Sequence, residues 1–144
     1  MTDTIDPARE AKVRESFGAQ SLMTTFGAEM VAVAPGRCVI AAPVRENARQ
    51  QHGAGHAGLT FALGDSAAGY AALTLMADGS EVMTAEMKIN LMAPALGDCL
   101  IATGRVVRAG RRLTVVTAEV EAETDGKRKL VALLQGTMVP VDPA

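Results

Sequence analysis

Along residues 117–123, Ala118, Val120 and Ala122 alternate with Thr117, Glu119, Glu121 and Glu123. A period of two with one charged side is the mark of a strand that buries one face and wets the other. Similar apolar runs predict strands over 28–34, 37–44, 82–92, 99–109, 112–123 and 128–140, with turn residues at Pro35 and Gly36, at 94–98, at Ala109 and Gly110, and at Asp125 and Gly126. The first two strands form a hairpin, and the last four are expected to follow one another as a meander. Asp6 and Pro7 open a short charged helix through AREAKVRESF. The stretch from His56 to about Leu73 is apolar at helical spacing. One long helix among six strands should lie across the inner face of an antiparallel sheet, an α+β layer.

That helix carries one acid. At roughly 100° per residue, Leu59, Leu63, Ser66, Tyr70 and Leu73 fall on a core-facing stripe, and Gly58, Ala62, Asp65, Gly69 and Ala72 fall beside it. Small residues around a carboxylate fit either a close helix contact, with Asp65 hydrogen-bonded in place, or a groove that another molecule occupies. The helix also begins just after a Gly/His-rich loop. First-turn N–H groups have no helical partner and lie at the positive end of the dipole, so the amides of His56, Ala57 and Gly58 could hold a carbonyl oxygen that gains negative charge. Eight positions separate Ala57 from Asp65, about 12 Å along one helix axis. A reacting carbonyl must lie about 3 Å from both groups, so one helix cannot supply both. Two copies of the chain are therefore expected to share each site, Ala57 N–H from one and Asp65 from the other.

Composition narrows the class. The chain has 144 residues, 49% hydrophobic and 21% charged, enough for one core and no more; the expected unit is a single domain over 1–144, with 1–18 as a helical extension. A net charge of −2 and a 3% aromatic content argue against a nucleic-acid partner. No apolar run approaches the roughly 20 residues of a membrane span, and MTDTIDPAREAK is too polar for a secretory signal, so a cytoplasmic protein with no membrane partner is expected. Cys38 and Cys99 lie in strand-like apolar surroundings and read as reduced thiols. His52 and His56 form a pair without a third ligand at suitable spacing, so no metal site is expected.

The segment HAG at 56–58, with Asp65 nine residues after His56, and the run KINLMAPALGDCLIATGRVVRAGRRLTVVTAEVEA resemble the hotdog-fold acyl-CoA thioesterases, particularly the phenylacetate-pathway, PaaI-like group. The resemblance runs from about residue 17 to 141. It implies a hotdog fold, an antiparallel sheet of five to six strands wrapped around one central helix. It implies hydrolysis of an aryl- or fatty acyl-CoA to free acid and coenzyme A at a dimer interface, often within a homotetramer. No cofactor is then required, since coenzyme A is part of the substrate.

Carried over position by position, Asp65 would be the general base or nucleophile, and Ala57 N–H would polarise the thioester carbonyl. Gln50 matches an Asn/Gln position near the thioester, and Thr84 a Ser/Thr position that helps place water. His56 matches the motif's histidine and reads first as a capping or loop-anchoring residue. Arg108, Arg111 and Arg112 would form part of the nucleotide site, and Gly58, Phe61 and Met87 the substrate pocket. The chain departs from the family at Ala57, where the motif has Gly: the amide survives, but a methyl narrows the site or forbids positive φ. Two rivals share the fold, a non-catalytic acyl-CoA sensor and an enoyl-CoA hydratase. The first usually carries a DNA-binding segment and lacks the acid; the second needs a different histidine–acid arrangement.

Overall fold

The computed structural model describes residues 4–142. Helix α1 (Pro7–Gly18) begins with the Asp6 carboxylate accepting from the Arg9 N–H at 3.2 Å, and Pro7 sits in the first turn, where an amide proton would have no partner. A second helix, α2 (Ser21–Phe26), has only six residues, too few for periodicity to reveal it in the sequence. Strands β1 (Glu29–Ala34) and β2 (Arg37–Pro43) form the expected hairpin, turning on Gly36 at φ +72°, a conformation suited to glycine. A 3-10 turn (Glu46–Ala48) and a loop lead into α3 (Ala57–Leu73). Then come β3 (Glu81–Leu91), β4 (Cys99–Ala109), β5 (Thr114–Thr124) and β6 (Lys127–Val141).

All six strands join one antiparallel sheet in the order β1-β2-β4-β5-β6-β3. The expected meander holds for β4, β5 and β6 but not for β3, which pairs with β6 at the far edge, Leu91 opposite Ala132 and Glu81 opposite Val141. The connection 92–98 crosses the strand ends to make this exchange: Met92 N–H donates to the Val131 carbonyl of β6 at 2.8 Å, and Asp98 N–H to the Glu123 carbonyl of β5 at 2.8 Å. Alternation of apolar residues decides which face of a strand is buried; it does not name the strand's neighbour.

The sheet wraps α3, which packs against β2, β3, β4, β5 and β6. Leu59, Leu63 and Leu73 are fully buried, as the wheel requires, together with Ile40, Leu100, Val116, Val120, Leu134 and Met138 from the strands. Each such side chain contributes roughly 1.5–3 kcal/mol by leaving water. The small residues are distributed differently from the wheel. Ala72 is buried in the core and Ser66 is half-buried, while Gly69, though buried, lines the cavity beside Asp65. The closest approach is made by Ala67 and Ala68 against Gly104 of β4, where an added Cβ would lie 2.3 Å from the Ala67 backbone. With apolar residues on nearly every side, the helix is largely enclosed by the sheet, and it stays open at its N-terminus and near Asp65.

Helix α1 is strapped over the far end of α3. Arg9 donates to the Met76 carbonyl and pairs with Asp78 at 2.6 Å; Arg14 reaches the Met30 carbonyl at 2.9 Å. Phe17 meets Tyr70 edge to face, centroids 6.0 Å apart, and the Tyr70 hydroxyl lies 3.0 Å from Ser16 Oγ. Among the described residues no helix is long and apolar enough to cross a membrane.

Candidate active site

The loop before α3 is held by its own polar groups. Gln50 Oε1 accepts from the His52 and Ala54 amides at 2.6 and 3.2 Å, and the Gln50 N–H donates to the Ala54 carbonyl at 2.9 Å. With its oxygen occupied, the carboxamide keeps its NH2 as the available end. His56 N–H donates to the Ala48 carbonyl at 2.9 Å, and Gly55 N–H to the Ala95 carbonyl at 2.9 Å, which seats the loop against the 92–98 connection. The His56 ring then caps the helix, Nδ1 accepting from the Gly58 N–H at 2.7 Å.

These bonds reduce the three candidate amides to one. His56 and Gly58 have acceptors, and the Leu59 and Thr60 amides bond to the His56 carbonyl at 2.9 and 3.3 Å. Among the described residues the Ala57 N–H has no acceptor. Gln50 and Ala57 line the same open hollow of about 380 Å³, with Thr60, Met92, Pro94 and Val131 among its walls.

Asp65 lies two turns further along α3, half-buried. Thr84 of β3 donates its hydroxyl proton to Asp65 Oδ1 at 2.7 Å. A bulge sets this contact up: the β3–β6 register shifts between Thr84 and Glu86, which changes the strand's parity. Val82 before it and Met87 and Ile89 after it thereby all pack on the core side. Burial raises the Asp65 pKa above the usual carboxylate value, and the Thr84 hydrogen bond opposes that rise.

Asp65 borders two cavities. One, about 130 Å³, has polar walls from Ser16, Tyr70, Glu81 and Thr84; the other, about 490 Å³, has apolar walls from Leu22, Met23, Phe61 and Ala62. Neither contains Ala57 or Gln50, so within one chain the donor and the acid open into different hollows. Of the expected pocket residues, Phe61 lies with Asp65, Gly58 spends its amide on His56, and Met87 packs against the core near Gly136 and lines neither Asp65 cavity. Gln20 and Ser66, absent from the sequence-based set, line both. Ser66 is a polar residue next to the acid on a supposed core stripe, which was the one available signal.

Arg108, Arg111 and Arg112 surround a separate hollow of about 330 Å³ at the β4–β5 hairpin, all exposed and without ion-pair partners among the described residues. Cys38 is buried, its thiol pushed up to about 12 chiefly by desolvation; burial and Glu123 also raise the half-buried Cys99. Neither thiol is activated as a nucleophile. Among the described residues no group of three or more His, Cys, Asp or Glu could hold a metal ion.

The chain is similar to several known proteins. A thioesterase family protein from Silicibacter pomeroyi is 38% identical, with 94% of this chain and 99% of that one covered and a TM-score of 0.91. The Escherichia coli PaaI protein from the phenylacetic acid degradation operon shares the hotdog fold at 20% identity, covering 94% of this chain and 95% of that one with a TM-score of 0.84. A protein of Saccharolobus solfataricus named as a candidate esterase is 30% identical over 110 residues, 76% of each chain. The thioesterase superfamily model matches residues 52–129, from the Gly/His loop through α3 to the start of β6. The chain belongs to the thioesterase superfamily.

Proposed function

We propose that this protein hydrolyses the thioester of an aryl- or fatty acyl-CoA, in sites that two copies of the chain build together. The observation that carries this reading is the division of labour on α3: an unclaimed amide at Ala57 and a half-buried acid at Asp65, in separate hollows of one chain. Edge strand β3 supports the partnership. It is hydrogen-bonded on one side only among the described residues, and Met83 and Leu91 on it stand 57% and 54% exposed. An eleven-residue edge with bare apolar side chains is suited to pairing with a second copy.

In the proposed reaction Asp65 takes a proton from water while the water oxygen bonds to the thioester carbonyl carbon. The Ala57 N–H of the other copy holds the oxygen as it becomes negative, and the Gln50 NH2 lies beside it as a second donor. The C–S bond then breaks, and the departing thiolate takes up the proton from Asp65. A raised Asp65 pKa makes the carboxylate a stronger base. The three arginines of the β4–β5 hairpin offer unpaired cations to the phosphates of coenzyme A. An acyl-CoA panel assayed for free thiol tests the reading. Release from aryl or fatty esters is expected; tight ester binding with no thiol from any member of the panel would make the chain a sensor instead.

A further inference from the structure

Gln20 occupies the N-cap of α2, a place that favours Ser, Thr, Asp or Asn because their short side chains bond the helix amides. Gln20 makes no such bond. Its backbone does the work instead, the carbonyl accepting from Met23 and Thr24 N–H at 3.1 and 3.3 Å and the N–H donating to the Phe17 carbonyl at 3.1 Å. The side chain is thereby free to turn elsewhere, and Oε1 accepts from Ser66 Oγ on α3 at 3.3 Å. That bond joins the α1–α2 corner to the residue next to Asp65.

Three residues line both cavities that meet at the acid: Gln20, Asp65 and Ser66. On one side of this partition the walls are mostly polar, with Val82 and Met138 among them, and the volume, about 130 Å³, has room for several waters at about 30 Å³ each. On the other side Leu22, Met23, Phe61 and Ala62 offer a larger apolar groove. Hydrolysis needs both surroundings at once, because water must reach the acid while a hydrocarbon acyl group lies against it.

We propose that Gln20 is a positioning residue for the hydrolytic water: anchored to Ser66 through Oε1, it uses its NH2 group to hold, at Asp65, a water drawn from the polar chamber. The inference rests on Asp65 acting as the base in the reading above. Water donates one proton to the Asp65 carboxylate, accepts from Gln20 Nε2, and directs its remaining lone pair at the thioester carbon. The acyl chain occupies the groove on the opposite side. Glu81 of β3 and Tyr70 of α3 are the other titratable groups facing the chamber.

Two variants test this with an acyl-CoA that the wild-type dimer hydrolyses. Gln20→Leu keeps the bulk of the partition and removes both polar ends; kcat should fall about 100-fold with KM within about twofold of wild type. Gln20→Glu keeps an acceptor for Ser66, loses the donor and sets a second carboxylate beside Asp65. Like charge favours the protonated acid, so the acidic limb of the kcat–pH profile should move to higher pH, a change that a merely structural corner would not produce. Gln20→Asn should recover part of the lost kcat. Wild-type kcat in Gln20→Leu, a rise in KM alone, or an unmoved acidic limb in Gln20→Glu would each overturn the proposal. Should Gln20→Leu fail to fold, Gln20→Glu decides the question. Inactivity of the wild-type dimer on every ester would instead defeat the parent reading.

Discussion

The N-terminus and the middle of α3 differ in kind: one presents a hydrogen-bond donor, the other an acid. At the N-terminus, Ala57 exposes an amide with no acceptor among the described residues, while the neighbouring His56 and Gly58 amides are engaged. At mid-helix, Asp65 is half-sunk and held by Thr84 from a bulged edge strand. Both positions are polar functions on an otherwise apolar helix, yet they open into separate hollows about 12 Å apart along the axis. On the proposed function, the difference means that one protomer holds both groups but cannot bring them to one carbonyl. A rigid helix fixes that spacing, and in the proposed reaction the donor at the acid comes from a second copy.

Substitutions can be ranked by how hard they strike this contrast. Asp65→Asn is isosteric and can still accept from Thr84, so folding should be kept while kcat falls at least 1,000-fold; unchanged turnover would remove the acid from the reaction. At the other end, Ala57→Pro deletes the N–H. Proline is well accommodated in the first helical turn, and His56 at φ −61°, ψ 144° already has the extended conformation that proline requires before it. We expect a loss of 100- to 1,000-fold in kcat with melting temperature preserved. Full activity in that variant would mean that the amide only ends a helix.

A smaller effect should follow from Thr84→Val. The Thr84 hydrogen bond lowers an Asp65 pKa that burial raises, so its removal lets the pKa climb further. Since the ionised form is the base, the acidic limb of the kcat–pH profile should move to higher pH, with kcat on the plateau down by about tenfold. A stationary limb would detach Thr84 from the acid. Least severe is the paired neutralisation of Arg111 and Arg112, both exposed and far along the β4–β5 hairpin. KM for the ester should rise about tenfold and lose much of its salt dependence, with kcat unchanged; an unaltered KM would make the hairpin tip a solvated surface.

Much of the architecture was readable in advance because hydrophobic alternation reports burial residue by residue. The wet and dry faces of β5, the Gly36 turn and the Asp6 cap all follow local rules, and all stand in the structure. The place of β3 did not follow, since pairing β3 with β6 is decided by a chain crossing at 92–98 that no periodicity encodes. Small residues on α3 were ambiguous for a related reason: Ala62 and Gly69 of the stripe line the cavities at Asp65, whereas others on the helix only meet the sheet. Glycine and alanine mark close approach without saying what approaches, and at Ala67 and Ala68 it is the Gly104 backbone rather than a substrate. Asp65 stood out as a lone acid on an apolar helix. Gln20 did not, because its relation to the site depends on a side-chain bond across 46 positions of chain.

Complementation between inactive chains tests the shared site most directly. Asp65→Asn and Ala57→Pro chains, each inactive alone, are unfolded together in equal amounts, refolded, and assayed after mass spectrometry has counted the mixed dimers. Random pairing makes about half of all dimers mixed, and each mixed dimer holds one site with both lesions and one with none. Recovery of about a quarter of wild-type turnover is the predicted result, whereas mixed dimers as inactive as their parents would contradict a site divided between two chains.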